Sequence, residues 1–143
     1  MKTAGQLLQE KQRQGIFAVA PSATVYQALQ LMAEKDIGAV LVMDGNKLEG
    51  IFSERDYARK VVLQGKTSAG TPITDIMTKR VMFAKPSYTV DHCMAIMSEK
   101  RFRHLPVMDG NTVLGVLSIT DLVREQIAEQ QFLIEQLEHY IHG

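Results

Sequence analysis

Hydrophobic and polar positions follow each other along the chain in patterns that predict short strands and amphipathic helices. Residues 17–20 form a brief apolar run that stops at Pro21, as expected of a short strand. Apolar residues then recur at helical spacing over residues 25–33. Two further apolar runs, 39–43 and 48–52, flank a turn and predict a β-hairpin. The segment therefore predicts the order β-α-β-β, with another helix after the last strand.

The same pattern occurs a second time. A shift of 65 positions aligns residues 21–56 with residues 86–121 without a gap, and 15 of the 36 aligned pairs are identical. The copy predicts a strand over 81–84, a helix over 89–101, and strands over 105–108 and 113–117. The chain therefore predicts two β-α-β-β-α repeats.

Helical patterns continue beyond the repeats, and a polar segment separates them. The predicted divisions are an N-terminal helical extension (1–14), a first repeat (15–66), a linker (67–78), a second repeat (79–125) and a C-terminal helix (126–143). The C-terminal helix carries more apolar residues than a solvated helix needs. We expect it to pack on the core or on a second subunit.

Composition narrows the functional classes. The chain has 143 residues, of which 45% are hydrophobic and 22% charged, as in globular proteins. Sixteen basic residues balance sixteen acidic ones, which disfavours bulk binding to nucleic acid or to an anionic membrane. No apolar run reaches the roughly 18–20 residues that span a bilayer. The single cysteine, Cys93, suits a reducing compartment, so we expect a cytoplasmic protein.

Three segments carry a resemblance to a known family. They are Asp-Ile-Met-Thr at 75–78, Arg-His-Leu-Pro-Val at 103–107, and Gly-Val-Leu-Ser-Ile-Thr-Asp at 115–121, which matches Gly-Ile-Phe-Ser-Glu-Arg-Asp at 50–56. The repeats resemble cystathionine-β-synthase (CBS) domains, and their tandem over about residues 15–125 resembles a stand-alone bacterial CBS pair, or Bateman module, of signal transduction. The resemblance implies an α/β (α+β) fold whose two repeats are related by a pseudo-twofold axis, and a homodimer.

The strand end in this motif also has the chemistry of a nucleotide site. A glycine permits close approach, hydroxyls at a helix start favour a phosphate, and a carboxylate accepts hydrogen bonds from ribose hydroxyls. The resemblance implies an adenosine nucleotide (AMP, ADP, ATP or NAD) as ligand, with or without Mg²⁺. It implies one site of Ser118, Thr120 and Asp121 with Ile16, Phe17, Gly38 and Ala39, and another of Ser53, Arg55 and Asp56 with Val81, Met82, Arg103 and His104.

The two predicted sites differ in charge. Arg55 stands where the second repeat has Thr120, and an arginine there either clamps a phosphate or fills the site. Basic residues also cluster between positions 79 and 103. We therefore expect the Asp56 site to favour a phosphorylated ligand, while the Asp121 site matches the ribose motif more closely.

Simpler interpretations compete with this one. A serine followed three residues later by an aspartate is also a plain helix cap. A hydrolase using His104 and Asp121 lacks a phosphate-binding glycine loop, and His139 with His142 lacks a third metal ligand. Cys93 falls on an apolar stripe and is expected in the core.

The main alternative is a structural dimerisation module with non-functional ligand sites, which Arg55 favours. The sequence predicts no catalytic residue, no catalytic cofactor and no metal site. Our interpretation is a regulatory nucleotide sensor read by a protein target or by a second copy of the chain, in which a bound ligand changes the arrangement of the repeats or of the dimer.

Overall fold

The computed structural model describes residues 1–11 and 15–142, which form two compact units. The repeat-1 unit contains residues 15–82 and 110–113, and the repeat-2 unit contains the described residues of 1–14, 83–109 and 114–143. The helices are α1 (Ala4–Glu10), α2 (Val25–Lys35), α3 (Glu54–Asp56), α4 (Val90–Lys100) and α5 (Ile119–His142). The strands are β1 (Ala18–Val19), β2 (Ala39–Asp44), β3 (Lys47–Ser53), β4 (His104–Asp109) and β5 (Thr112–Ser118). A π-helical segment, Tyr57–Val62, follows α3, and a 3₁₀ turn occupies Ile73–Asp75.

The repeat-1 unit is built on a three-stranded sheet in the order β1-β2-β3. Strand β1 runs parallel to β2, whereas β2 and β3 form the predicted antiparallel hairpin, with Ala39 opposite Ser53. Gly45 opens the hairpin turn at φ +60°, a backbone angle that glycine adopts without strain. The apolar stripe of α2 supplies buried Val25 and Met32 to the core beneath this sheet. The sequence prediction for this repeat is confirmed up to the end of β3.

The repeat-2 unit contains the matching hairpin of β4 and β5. Cys93 lies on the buried stripe of α4 and is fully buried, as expected of a core residue. The strand predicted over 81–84 is wrong, because of these four residues only Ala84 forms a β-bridge, to Val107. In the first repeat the Leu41 N–H donates to the Phe17 carbonyl at 3.1 Å. The equivalent of Leu41 is Pro106, which has no N–H to donate.

Helix α1 belongs to the repeat-2 unit. Its first N–H groups, of Ala4 and Gly5, donate to the carbonyls of Tyr88 and Pro86 at 2.8 and 2.9 Å. Ala4 and Leu7 are buried in the core of this unit. The helical extension predicted over 1–14 is helical from Ala4 to Glu10, and residues 12–14 of that prediction lie outside the described residues.

Helix α5 begins at Ile119, seven residues before residue 126, the predicted start of the C-terminal helix. Its first turns pack on the unit: Leu122 is fully buried, and the Gln126 side chain donates to Asp91 Oδ1 at 3.1 Å. Every residue from 130 to 142 is exposed, so the expected packing on the core is confirmed only for the beginning of the helix. Gly143, the last residue of the predicted helix, lies outside the described residues. No helix in the described part of the chain is long and apolar enough to cross a membrane.

Candidate functional site

In each repeat the last strand of the hairpin ends at a serine that caps the next helix. The Ser118 N–H donates to Asp121 Oδ2 at 2.8 Å, and the Asp121 N–H donates to Ser118 Oγ at 3.2 Å. In the first repeat the corresponding distances between Ser53 and Asp56 are 3.0 and 3.3 Å. We call these the Ser118–Asp121 corner and the Ser53–Asp56 corner. Helix capping is therefore confirmed at both, and it leaves open a second role for the carboxylates.

A backbone hydrogen bond ties each corner to the start of the preceding strand. The Ile119 N–H donates to the Arg103 carbonyl at 2.8 Å, and the Glu54 N–H donates to the Gly38 carbonyl at 3.1 Å. Arg103 therefore lies beside the Ser118–Asp121 corner, and Gly38 beside the Ser53–Asp56 corner. The sequence assigns these residues to the ligand site of the opposite repeat, and that assignment stays a prediction.

The remaining predicted site residues include pairs at equivalent positions of the two repeats. Ile16 and Phe17 precede β1, and the ring of Phe17 has Lys35 Nζ at 5.8 Å from its centre. Their counterparts Val81 and Met82 precede Ala84. Large parts of Ile16 and Met82 are exposed, as are the side chains of Arg55 and Thr120, whereas Ala39 is half-buried. A ligand contact by any of these residues stays a prediction.

Lys11 completes the Ser118–Asp121 corner. Its Nζ lies 2.9 Å from Asp121 Oδ2 and donates to the Val116 carbonyl at 2.8 Å. Burial works to raise the pKa of Asp121, but the Ser118 N–H and the Lys11 ammonium group outweigh it and hold that pKa below its usual value. Asp121 is therefore ionised at neutral pH and is a strong hydrogen-bond acceptor.

His104 lies close to the same charges. Burial lowers the pKa of His104, the positive charges of Lys11 and Arg103 lower it further, and Asp121 opposes them. The imidazole is therefore neutral at pH 7, and a neutral imidazole carries one hydrogen-bond donor and one acceptor.

Lys60 has the corresponding place at the Ser53–Asp56 corner. Its Nζ lies 3.0 Å from Asp56 Oδ1 and donates to the Ile76 carbonyl at 3.1 Å. The Thr78 hydroxyl donates to the same carboxylate oxygen at 3.3 Å. At both corners, then, a lysine joins the aspartate to a backbone carbonyl.

Sequence reasoning did not assign three of these residues to a site: Lys11, Lys60 and Thr78, although Thr78 lies in the Asp-Ile-Met-Thr segment that carries the family resemblance. Lys60 had a local signal, because it follows Asp56 by four positions. Lys11 had none, because it precedes Val116, its carbonyl partner, by 105 positions. Only the docking of the N-terminal segment on the second repeat brings Lys11 to the corner.

Gly50 lets the segment with Thr78 approach β3. Ile51 and Thr78 exchange two backbone hydrogen bonds of 3.0 and 2.8 Å. A Cβ on Gly50 would lie 2.9 Å from the Thr78 carbonyl oxygen and 2.7 Å from Met77 Sδ. The close approach inferred from this glycine is therefore made by another backbone segment.

The corners offer hydrogen bonding and charge. Each combines a carboxylate, a serine hydroxyl and a lysine ammonium group, which together suit a ligand with hydroxyls and anionic oxygens. Among the described residues, no three His, Cys, Asp or Glu side chains group as a metal site.

Known proteins share both the sequence pattern and the fold of this chain. The family model described as CBS domain matches twice, over residues 12–63 and 73–128. The mitochondrial CBS domain-containing protein CBSX3 of Arabidopsis thaliana is 36% identical over 125 residues, or 84% of this chain. The chain spans 61% of that protein's length.

Two solved structures share the fold. A CBS-domain protein of Burkholderia ambifaria MC40-6, described as a candidate signal-transduction protein, is 50% identical, with 90% of this chain and 96% of that chain covered and a TM-score of 0.86. The CBS domain pair of MJ0100, solved with 5′-methylthioadenosine and S-adenosyl-L-methionine, is 24% identical, with 90% and 98% covered and a TM-score of 0.80. With two matched domains that together cover most of its length, the chain belongs to the CBS-domain family.

Proposed function

We propose that this CBS pair is a regulatory module that binds an adenosine nucleotide, such as AMP, ADP, ATP or NAD. The observation that carries the proposal is the Ser118–Asp121 corner, where an ionised carboxylate stands at the start of a helix with a serine and a lysine beside it. The related pair of MJ0100 holds two ligands that both contain adenosine. These ligands support the adenosyl class for the present chain.

In this proposal the ribose competes with Lys11 for Asp121. Two ribose hydroxyls donate to the carboxylate, as acidic residues accept them in other nucleotide-binding folds. The ammonium group of Lys11, now 2.9 Å from Asp121 Oδ2, is then released beside the ligand. It can pair there with a phosphate, and this favours a nucleotide over a nucleoside.

The Ser53–Asp56 corner is the second proposed ligand site. Lys60 contacts Asp56 at 3.0 Å, and Arg55 is the neighbouring residue in the chain. A lysine on the carboxylate and an arginine next to it in the chain support our expectation that this site takes a phosphorylated ligand.

We propose that the module regulates by binding and does not turn its ligand over. The ligand favours one arrangement of the repeats or of a homodimer, and a protein target or the second copy reads that change. Signal transduction is the role described for the relative from Burkholderia ambifaria, which supports this interpretation. The single, buried cysteine supports a cytoplasmic location.

A structural dimerisation module is the second candidate function, and one observation favours it. Each aspartate already has a lysine partner, at 2.9 Å for Asp121 and 3.0 Å for Asp56. If these ion pairs persist against every nucleotide, the corners serve only to cap helices.

Calorimetric titration of ligand-stripped protein with AMP, ATP and NAD tests the proposal. Two variants, Asp121→Asn and Asp56→Asn, remove one charge each but keep a side-chain oxygen that can accept the hydrogen bond from the serine N–H. We expect saturable binding in the wild type, weakened about tenfold or more in the variant of the occupied site, since a hydrogen bond to a charged group contributes about 1.5–3 kcal/mol.

Each variant is the control for the other site. The proposed function is wrong if the wild type gives neither heat nor a thermal shift with any of the three ligands at millimolar concentration. If the protein then forms the same dimer with and without these ligands, that result would support the structural module instead.

A further inference from the structure

The exposed part of α5 carries an apolar stripe with a seven-residue period. We call it the α5 seam, and it consists of Val123, Ile127, Gln130, Ile134, Leu137 and Ile141, at alternating intervals of four and three. Its apolar members become more exposed along the helix, from 39% at Val123 to 72% at Ile141. The same isoleucine position recurs three times, which is the spacing by which two helices pack along each other.

The charged residues of the same segment lie outside the seam. At about 100° per residue, Glu129 and Glu135 lie about 120° from the middle of the seam, Glu138 lies about 60° from it and borders it, and Phe132 lies on the opposite face. Leu133 and Tyr140 flank the seam on one side and are 54% and 86% exposed. The seam itself contains no charged residue.

These features favour a second copy of this chain as the partner. A seam without charge meets an identical seam without repulsion, as a twofold interface requires. Seven apolar side chains on and beside the seam are 39–86% exposed. At an average of roughly 100 Å² each they offer roughly 700 Å² per chain, close to the about 800 Å² per partner of a standard interface. Residues 125–142 include no lysine or arginine, so an anionic membrane is a poor partner.

We propose that α5 pairs with α5 of a second copy along the α5 seam. The inference rests on the homodimer of the proposed function but not on nucleotide binding. It assigns the dimer contact to residues 123–141, and every residue from 130 to 141 is exposed in the single chain.

Sedimentation equilibrium of the full chain tests this pairing with two matched variants. Ile134→Glu changes the seam, and Phe132→Glu changes an equally exposed apolar residue off the seam (54% and 59% exposed). We expect the wild type and Phe132→Glu to be dimers with the same dissociation constant. Ile134→Glu should raise that constant by about a hundredfold or more, because it places a carboxylate from each copy in the contact.

Both side chains are exposed in the single chain, so neither variant should unfold it, and thermal unfolding at one protein concentration checks this. A monomeric wild type would overturn both the dimer and the α5 pairing. A dimeric wild type whose dissociation constant is unchanged by Ile134→Glu would overturn the α5 pairing alone. Equal weakening by both variants would also overturn it, since the contact would then not follow the seam.

Discussion

At the scale of single residues, Lys11 has the largest consequence for ligand chemistry. It contacts the carboxylate of Asp121 and the carbonyl of Val116, so it links the first turn of α5 to β5. A ligand that needs the carboxylate must break this ion pair, whose two side chains are 29% and 15% exposed. In the proposed function, the released lysine then pairs with a phosphate of the ligand.

We predict that Lys11→Met reduces the preference for AMP over adenosine. Removing the competitor frees Asp121 equally for both ligands, but only AMP loses a cationic partner for its phosphate. The ratio of the two affinities should fall about fivefold, which is modest because the pair is partly exposed to solvent. Calorimetric titrations with both ligands measure this ratio.

Lys2→Met is the matched control, because Lys2 pairs with Glu10 and Glu125 in the same unit and not with Asp121. An unchanged ratio in Lys11→Met would show that Lys11 does not meet the phosphate.

His104 gives the folded chain a dependence on pH. Its pKa in the folded state lies below the usual 6.5, chiefly because of burial. As the pH falls below that value, the unfolded chain therefore takes up more protons than the folded one. The contribution of His104 to the free energy of unfolding is fully present above about pH 6.5 and is lost as the pH falls through the folded-state pKa.

The prediction is that His104→Gln shows a smaller loss of stability on acidification than the wild type. Urea unfolding at about pH 7.5 and about pH 5.5 gives the two free energies to compare. Equal losses in the variant and the wild type would mean that His104 titrates alike in the folded and unfolded chains.

At the scale of secondary-structure elements, two equivalent glycines face different neighbours. A Cβ on Gly50 would meet backbone, the Thr78 carbonyl oxygen at 2.9 Å, as well as Met77 Sδ. A Cβ on Gly115 would meet only the Leu8 side chain, with Cδ2 at 3.0 Å. A leucine side chain can rotate away, whereas a hydrogen-bonded backbone segment cannot move without breaking its bonds to β3.

We therefore predict that Gly50→Ala lowers the free energy of unfolding by about 1–3 kcal/mol and that Gly115→Ala lowers it by less than about 1 kcal/mol. Chemical denaturation of both variants provides the comparison. If Gly115→Ala were the more harmful change, the close contact of Thr78 with β3 would not be what requires a glycine.

The elements themselves were largely predictable, and the exceptions have physical causes. Periodicity located α2, α4 and both hairpins, because each has one buried face over several residues. It failed at 81–84, where Pro106 in the neighbouring strand removes the donor that extends the bridge. Both caps were visible as Ser-x-x-Asp, which is a local pattern, whereas Lys11 reaches its corner only through tertiary contact.

At the scale of the whole molecule, the chain forms two compact units, and each has its own hydrophobic core. The sequence showed the duplication directly, since 15 of 36 aligned positions repeat. It did not show that α1 packs on the second repeat, because the backbone bonds from Ala4 to Tyr88 and from Gly5 to Pro86 join distant segments. The N-terminal segment, through Lys11, thus joins the beginning of the chain to the Ser118–Asp121 corner.

Regulation through a dimer would couple nucleotide affinity to dimer affinity, and this coupling acts in both directions. If an adenosine nucleotide favours the paired arrangement, it must lower the dimer dissociation constant, and dimer formation must raise nucleotide affinity by the same factor. A coupling of about 1–3 kcal/mol corresponds to roughly 5–150-fold in each direction. Such a coupling is what separates a sensor from a module that merely binds.

The last prediction is that saturating AMP lowers the dimer dissociation constant at least about fivefold, and that Ile134→Glu binds AMP more weakly than the wild type by a matching factor. Sedimentation equilibrium with and without AMP gives the first number, and calorimetry gives the second. Phe132→Glu is again the control and should match the wild type in both. If the chain binds AMP but AMP does not change the dimer dissociation constant, then the nucleotide signal is read by another protein and not by a second copy.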